Sequence, residues 1–253
     1  MARLFNGSDI ITGGHIPTLD ALNQLTISYW FYTSSFVADA IHVCKFSADG
    51  LNGYSAQQAK TAYSGPALDS DLFFTIRNGS IKGGFTEALN LSLNAWHHAV
   101  MVYNGNLTGD ANRLKAWVDG VQVTLNFTGF TPIPASTGAN IGGVAAGLAD
   151  IAASTGWNGR LERVGIWGIA LLDAEAQSLS TGVACCTIQP DQLGVYVPLD
   201  RGESPEPSVS HGGGIGIVSS PTFIAGPVLA YQPRCTNLIS DENGAYFSFT
   251  QPA

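Results

Sequence analysis

The length, composition and charge of the chain exclude several classes of protein. Its 253 residues carry 11 Lys and Arg against 19 Asp and Glu, a net charge of −8. A nucleic-acid partner is excluded because phosphate binding needs clustered cations, which this sequence lacks. Membrane insertion is excluded because no apolar run approaches the about 18 residues of a spanning helix. The length allows one sizeable hydrophobic core, and the 30 glycines with few charges favour a turn-rich β protein.

The N-terminus and the cysteines bear on where the protein works. Met1 runs directly into a predicted strand without the charged, apolar and cleavage regions of a signal peptide. This predicts a protein that is made and used without one. Cys44, Cys185, Cys186 and Cys235 fit no zinc-binding spacing. We expect free, partly buried thiols, with a bridge from Cys185 or Cys186 to Cys235 as the alternative.

Alternating patterns and turn pairs predict a series of short strands. Both faces of residues 25–32 carry aromatic side chains, which predicts a central strand covered on both sides. Asn78-Gly79 and Asp119-Gly120 each predict a tight hairpin, because these residues tolerate positive φ. A turn is predicted at 49–54 and a β-bulge near Gly165. The remaining strands are predicted at 41–46, 72–77, 80–85, 98–103, 114–118, 121–127 and 160–167.

Only one helix is predicted, at residues 173–180. Asp173 is the expected N-cap, Glu175 favours the first turn, and Gly182 ends the helix. Residues 202–214 are rich in Pro, Ser and Gly and read as a linker. An apolar, proline-punctuated extension follows, with a predicted strand at 245–250. We therefore divide the chain into a domain at 1–202 and a linker with a C-terminal arm at 203–253.

Several segments together resemble a known family. NAWHHAVMVYNG (94–105) and RLKAWVDGVQV (113–123) are similar to the signature of laminin-G-like, concanavalin A-like jelly-roll domains of the pentraxin type. Glu162 stands where that family often has Asp. The resemblance covers about residues 1–200 and implies an all-β, two-sheet antiparallel jelly-roll sandwich with one short helix and an extended C-terminal arm. Further matching segments are FNGSDI (5–10), LTISYWFY (25–32), NIGG (140–143), GRLERVGIWGIALLDAEAQSLSTG (159–182) and LGVYVPL (193–199).

Motifs that would indicate a reaction are missing from the sequence. Glycan-cleaving enzymes of this fold carry E-x-D-x-E on one strand, which points three acids to one face. Glu162 stands alone in its strand, and Asp69 and Asp71 alternate in a predicted loop. The nucleophile-elbow, zinc-protease and P-loop motifs are also missing. We predict that the protein is not an enzyme, with no catalytic residues and no cofactor-binding residues.

A few residues are candidates for binding. His97 and His98 follow each other on a strand and point to opposite faces, so we expect structural histidines. Trp157 is either a platform on which a sugar ring stacks or a core residue. The other tryptophans, on strands, are expected in the core: Trp30, Trp96, Trp117 and Trp167.

Calcium is the ion that the resemblance implies. Ca²⁺ prefers several oxygen ligands from loops. We leave open whether it binds and which residues hold it. The loop candidates are Asp49, Asp110, Asp119 and Asp150.

Two functions stay open at this point, since the fold alone does not decide. The first is a structural protein at the surface of a virion, such as a bacteriophage capsid decoration or tail-associated protein. Its partners would be other virion proteins or copies of itself, reached by an arm that adds a strand to a neighbour. The alternative is an extracellular or cell-surface lectin or adhesion module that binds cell-surface glycans, with or without calcium.

Overall fold

The protein is a sandwich of two antiparallel sheets, which confirms the predicted fold class. The computed structural model describes residues 2–7, 10–59, 68–129, 131–139, 142–146, 157–199, 209–210, 215–218, 223–224, 238–241 and 244–247. Within these ranges, no helix is both long and apolar enough to cross a membrane.

The first sheet is built from nine strands. They are β1 (Ala2–Asn6), β3 (Gln24–Thr33), β8 (Trp96–Asn104), β9 (Leu114–Val118), β10 (Val121–Val123), β13 (Asn158–Trp167), β14 (Leu193–Val197), β15 (Val209–Ser210) and β17 (Phe223–Ile224). Their order is β10-β9-β8-β3-β13-β1-β17, and β14 pairs with the second half of β13 and with β15. The long strand β3 is therefore central, as predicted.

The second sheet has eight strands in the order β11-β7-β6-β5-β4-β12-β2-β16. They are β2 (Ile10–His15), β4 (Ile41–Phe46), β5 (Asn52–Gln58), β6 (Leu72–Asn78), β7 (Ile81–Thr86), β11 (Leu125–Asn126), β12 (Gly143–Ala146) and β16 (Ile215–Val218). A separate hairpin joins β18 (Leu238–Asp241) to β19 (Gly244–Phe247). Two α-helices, α1 (Asp110–Arg113) and α2 (Asp173–Leu179), and three short 3₁₀ helices (Pro17–Leu19, Cys185–Thr187 and Pro190–Gln192) complete the described elements.

The main core lies between the two sheets, and a smaller one lies outside the first sheet. Alternate residues of β3, among them Ile27, Tyr29 and Phe31, are fully buried in the main core. On the outer face, α2 and the turn that follows it cover Val100 and Trp167 with a second apolar cluster. Strand β3 is thus covered on both faces over most of its length.

Helix α2 begins differently from the prediction. Leu172, rather than Asp173, is the N-cap, and its backbone N–H donates to Glu175 Oε2 at 2.8 Å. The carboxylate of Asp173 instead accepts from Lys115 Nζ, at 3.1 Å to Oδ1. A glutamate in the first turn thus reaches back to the backbone N–H of the N-cap, as in a capping box.

Two stretches depart from the predicted strands. The predicted strand 121–127 is divided at Thr124: β10 pairs with β9, whereas β11 pairs with β7 in the second sheet. Residues 52–54, predicted as part of a turn, begin β5, which pairs with β4 and β6. Strand β5 has few apolar residues and therefore little alternation. The predicted strand at 245–250 corresponds to β19 as far as residue 247, and the rest lies outside the described residues.

Two of the predicted special positions, the Asp119-Gly120 turn and the bulge near Gly165, are confirmed. Asp119 and Gly120 have φ of 50° and 79°, as a type I′ turn requires. The register of β13 against β3 shifts between Glu162 and Gly165, and Arg163 there has φ of 54°. This is the predicted bulge.

The cysteines are only partly as expected. Cys44 and Cys185 are buried and free, but Cys186 is disulfide-bonded. The expectation of free thiols is wrong for Cys186. Cys185 Sγ lies 3.9 Å from the carbonyl oxygen of Arg163. The alternative bridge involves Cys235, which lies outside the described residues.

Candidate functional site

Three half-buried aromatic side chains lie together on the outer face of the first sheet. Trp30 and Tyr32 are two residues apart on β3 and therefore share one face. Trp96 on β8 lies opposite Tyr32, with 5.8 Å between the ring centroids. We call Trp30, Tyr32 and Trp96 the aromatic patch. The apolar cluster under α2 includes none of the three.

Polar groups border the aromatic patch. Arg160 on β13 lies opposite Tyr32, with its guanidinium carbon 4.1 Å from the centre of the Tyr32 ring. The hydroxyl of Tyr32 donates to Asn94 Oδ1 at 3.3 Å. Apolar ring faces bordered by a few polar groups are typical of sites for small polar ligands.

The aromatic patch rests on a fixed part of the sheet. The rings of Trp30 and His98 are 4.9 Å apart, and His98 Nε2 lies 2.9 Å from Ser28 Oγ. Burial lowers the pKa of His98 to about 3, so this imidazole is neutral at physiological pH. The backbone N–H of His98 donates to Asp119 Oδ1 at 2.8 Å. A ligand therefore meets rings whose supporting residues are already in place.

His97 and His98 point to opposite faces, as predicted. His97 packs near Phe31, with 5.7 Å between ring centroids. Its Nδ1 lies 2.7 Å from Asp119 Oδ2, and its Nε2 lies 3.1 Å from the carbonyl of Ser92 and 3.2 Å from the Ser92 hydroxyl. Burial opposes protonation, but the hydrogen bond and charge of Asp119 raise the pKa of His97.

The Ser92, His97 and Asp119 side chains follow the order of a nucleophilic triad, but the Ser92 carbonyl lies as near to His97 Nε2 as the hydroxyl does. An imidazole that abstracts a proton from serine needs an unprotonated nitrogen toward the hydroxyl. Here both ring nitrogens face acceptors, the Asp119 carboxylate and the Ser92 carbonyl. These contacts join the Ser92 loop to the Asp119 turn, and so His97 ties a loop to a hairpin.

The three calcium candidates that the structure describes, Asp49, Asp110 and Asp119, are not brought together. Asp49 accepts from the Ser47 hydroxyl and the Leu51 N–H within its own turn. Asp110 accepts from the N–H of Ile133 at 2.7 Å. Across the described part of the chain, no three His, Cys, Asp or Glu residues form a group that could hold a metal ion. Asp150 lies outside that part.

The other acidic residues considered above also have structural contacts. Asp71 is fully buried and accepts from the N–H groups of Leu68 and Leu89, at 2.9 and 2.8 Å, and from the Thr86 hydroxyl at 3.1 Å. Glu162 Oε1 lies 3.5 Å from Arg163 Nε. Asp71 thus anchors the loops before β6 and after β7.

The tryptophans divide differently from the prediction. Trp157 is fully buried against Phe5, with 5.6 Å between ring centroids, and cannot stack on a ligand. Trp117 and Trp167 are core residues as expected, but Trp30 and Trp96 are only half-buried. One signal for this was present: a helix of seven residues is about 10 Å long, whereas a ten-residue strand spans about 33 Å. One short helix therefore leaves part of the outer face open.

Several solved structures have a fold similar to that of this chain. Among solved structures, the chain is similar to a heptameric SAP-like pentraxin of Limulus polyphemus, with 16% identity, a TM-score of 0.52 and coverage of 85% of this chain and 94% of the pentraxin. A Bacteroides ovatus protein described as a putative carbohydrate binding protein gives 14% identity and a TM-score of 0.55, over 88% of this chain and 61% of the other.

A third similar structure is domain 4 of an extracellular arabinanase of Geobacillus stearothermophilus, solved in complex with arabinotriose. It gives 19% identity and a TM-score of 0.50, over 71% of this chain and 76% of that one. At these identities the likeness concerns the fold alone. No curated protein matches the sequence. Residues 5–177, more than half of the chain, match the model of one family, and the chain therefore belongs to the concanavalin A-like lectin/glucanase superfamily.

Proposed function

We propose that the protein is a non-catalytic carbohydrate-binding module that binds a glycan at the aromatic patch. The observation that carries this proposal is the group of three half-buried rings, Trp30, Tyr32 and Trp96, on one sheet face. Sugar rings present flat C–H surfaces that pack against aromatic faces, and their hydroxyls are bound by polar groups at the border. Arg160 and Asn94 supply such groups.

Two of the similar structures support a glycan ligand. The Bacteroides protein is described as carbohydrate-binding, and the arabinanase domain was solved with arabinotriose. The acidic residues considered above favour binding over hydrolysis, because hydrolysis needs a pair of carboxyl groups about 5 to 10 Å apart that flank the bond to be cleaved. Asp71 and Asp119 are instead held by the backbone and by His97. The virion function and location have no support from the comparisons and stay predictions.

The size of the expected effect follows from the buried area. A sugar face on one ring removes about 50 Å² of apolar surface from water, which contributes about 1.3 kcal/mol at about 25 cal/mol per Å². Loss of one ring should therefore weaken Kd roughly tenfold.

The test is a glycan array followed by titration calorimetry with the glycans that bind. Trp96→Ala should weaken binding roughly tenfold. Phe127→Ala is the matched control, because Phe127 is also half-buried but packs near Gly84 of the second sheet. It should leave Kd unchanged. Thermal melting of each variant checks that the fold is intact. Equal affinity of the wild type and Trp96→Ala would show that the aromatic patch is not the binding site.

A further inference from the structure

Arg160 differs from the other arginines whose side chains are described. Arg77 donates to the carbonyl of Gly50, Arg113 to that of Leu107, and Arg163 to that of Gly182. Among the described residues, the guanidinium of Arg160 makes neither a hydrogen bond nor an ion pair, and its buried Nε has no partner. The guanidinium instead lies over the face of the Tyr32 ring, with its carbon 4.1 Å from the ring centre.

An arginine in this state is held in position while its donors are unused. Stacking on an aromatic ring fixes the plane of the guanidinium. Arg160 is half-buried, so part of its hydration is already removed. A guanidinium carries five N–H donors in a planar fork that matches the two oxygens of a carboxylate or sulfate. Such a group is a receptor for an anion that arrives with the ligand.

The charged side chains of β13 that lie next to Arg160 in sequence leave this strand with a net positive charge. Glu162 lies two residues along the same strand, but its Oε1 is 3.5 Å from Arg163 Nε. Arg160, Glu162 and Arg163 together carry one net positive charge. The whole chain carries −8, yet distant surface charges are screened beyond about 8 Å at physiological ionic strength. An anion at Arg160 therefore experiences mainly the local cation.

The geometry relates Arg160 to the rest of the aromatic patch. Arg160 and Trp96 flank Tyr32 on the two neighbouring strands, β13 and β8. Adjacent strands are about 4.8 Å apart, so the two residues are separated by about 10 Å. This separation is comparable to the length of a disaccharide. One sugar can stack on Trp96 while an acidic group of the same or the next sugar reaches Arg160.

We infer that Arg160 selects acidic glycans, by binding the carboxylate or sulfate group of a sugar that stacks on the aromatic patch. This inference rests on the proposed function and adds the chemical class of the ligand to it. The ligand chemistry is a planar or tetrahedral oxyanion on a sugar, and two sources supply it, a uronic acid or a sulfate ester.

The test uses one pair of probes that differ only in the acidic group and a third probe that carries sulfate. Hexagalacturonate and its fully methyl-esterified form share the same sugars, but only the first is charged. A sulfated galactan hexasaccharide tests the sulfate source. Titration calorimetry should show that the wild type binds one acidic probe at least tenfold more tightly than the ester. Whichever acidic probe binds more tightly identifies the source.

Variants of Arg160 then test whether this residue causes the preference for acidic probes. Arg160→Gln should weaken binding of the acidic probe at least tenfold and leave binding of the ester within twofold. Arg160→Lys should recover only part of the affinity, because lysine keeps the charge but loses the fork. Lys82→Gln is the matched control, because it also removes one positive charge but lies on β7 of the second sheet. It should change neither affinity.

The outcomes separate this inference from the proposed function. If Trp96→Ala weakens both probes but Arg160→Gln weakens neither, the aromatic patch binds glycans without selecting acidic ones. The inference is also overturned if the wild type prefers the ester or binds none of the three probes. If Lys82→Gln and Arg160→Gln weakened binding of the acidic probe equally, the preference would come from the net charge of the protein, and the inference would be overturned as well. If Trp96→Ala leaves both affinities unchanged, the proposed site itself is wrong.

Discussion

Replacing His42 with phenylalanine should remove a large part of the protein's loss of stability in mild acid. His42 is fully buried between the sheets, with ring centroids 5.0 Å from Phe31 and 4.7 Å from Trp157. Burial lowers the pKa of His42 to about 3, as it does for His98 on the outer face. Both histidines are neutral in the folded protein and become charged when it unfolds in mild acid.

The size of the effect follows from proton linkage. A histidine whose folded pKa lies below its unfolded value of about 6.5 favours folding above pH 6.5, and this contribution is lost as the pH falls toward the folded pKa. Between pH 7.5 and pH 5 the loss is about 2 kcal/mol for each such histidine. The loss depends only on the unfolded pKa while the folded pKa stays below the assay range. His42 and His98 together should therefore cost about 4 kcal/mol.

His97 contributes with the opposite sign. Its folded pKa is raised, so its contribution is fully present below about pH 6.5 and is lost as the pH rises through the folded pKa. This offsets part of the acid loss in the wild type. His42→Phe leaves His97 unchanged, and so the difference between variant and wild type isolates His42.

The assay is urea unfolding at pH 5, 6 and 7.5, followed by tryptophan fluorescence. His42→Phe should lose about 1 kcal/mol at pH 7.5, because the 3.2 Å contact between His42 Nδ1 and the Tyr29 hydroxyl disappears. It should be about 2 kcal/mol less sensitive to acid than the wild type. Phe31→Leu is the control, a core change without a titratable group, and should keep the wild-type pH dependence. The reasoning fails if His42→Phe also keeps it.

Two further predictions concern carboxylates that hold loops in place. Asp119→Asn should cost about 1 kcal/mol near pH 5.5, because the Asp119 side chain is half-exposed and its attraction to His97 is screened. The pKa of Asp119 is lowered and the pKa of His97 is raised, so the contribution of the ion pair is fully present between about pH 4 and pH 6.5. Urea unfolding at pH 8.5 should therefore show a smaller loss of stability for Asp119→Asn. An equal loss at both pH values would contradict the ion pair. Asp71→Ala should lose about 3 kcal/mol, because two N–H groups and a hydroxyl lose their acceptor. Asp191 is exposed and provides the control, because Asp191→Ala should change stability by less than about 0.5 kcal/mol. Equal melting temperatures of the two variants would contradict the role of Asp71.

Much of the fold was predictable because its strands are short and are separated by turn residues. Residues 41–46 and 114–118 form strands with the predicted bounds, since alternation and turn residues determine them locally. Strand β5 escaped prediction because Ser55 and Gln57 are polar yet buried, with Ser55 Oγ 2.7 Å from Thr75 Oγ1. The partners of such side chains come from neighbouring strands, and a single segment does not reveal them.

The candidate site was less predictable than the fold. Trp30 and Trp96 follow the same alternation as Trp117 and Trp167, and all four read as core residues. What separates them is the position of α2, which covers Trp117 and Trp167 but not the other two. That position depends on long-range contacts, such as the bond from the Leu171 N–H to Thr26 Oγ1 at 3.0 Å. Local sequence gives the length of a helix but not where it docks.

The C-terminal strands bear on the predicted assembly arm. Strand β16 pairs with β2 over four residues, β17 pairs with β1, and β15 pairs with β14, all within one chain. Their hydrogen-bonding groups on these sides are therefore already used. To serve a neighbour in the same way, these strands would have to leave β2, β1 and β14. Each departure would expose an unpaired edge that favours re-pairing. Exchange between identical copies restores every such pair, whereas a different partner must supply an edge of its own. An assembly role for these strands is therefore physically simplest between copies of this chain, and it leaves the aromatic patch in the middle of the first sheet free to bind a glycan.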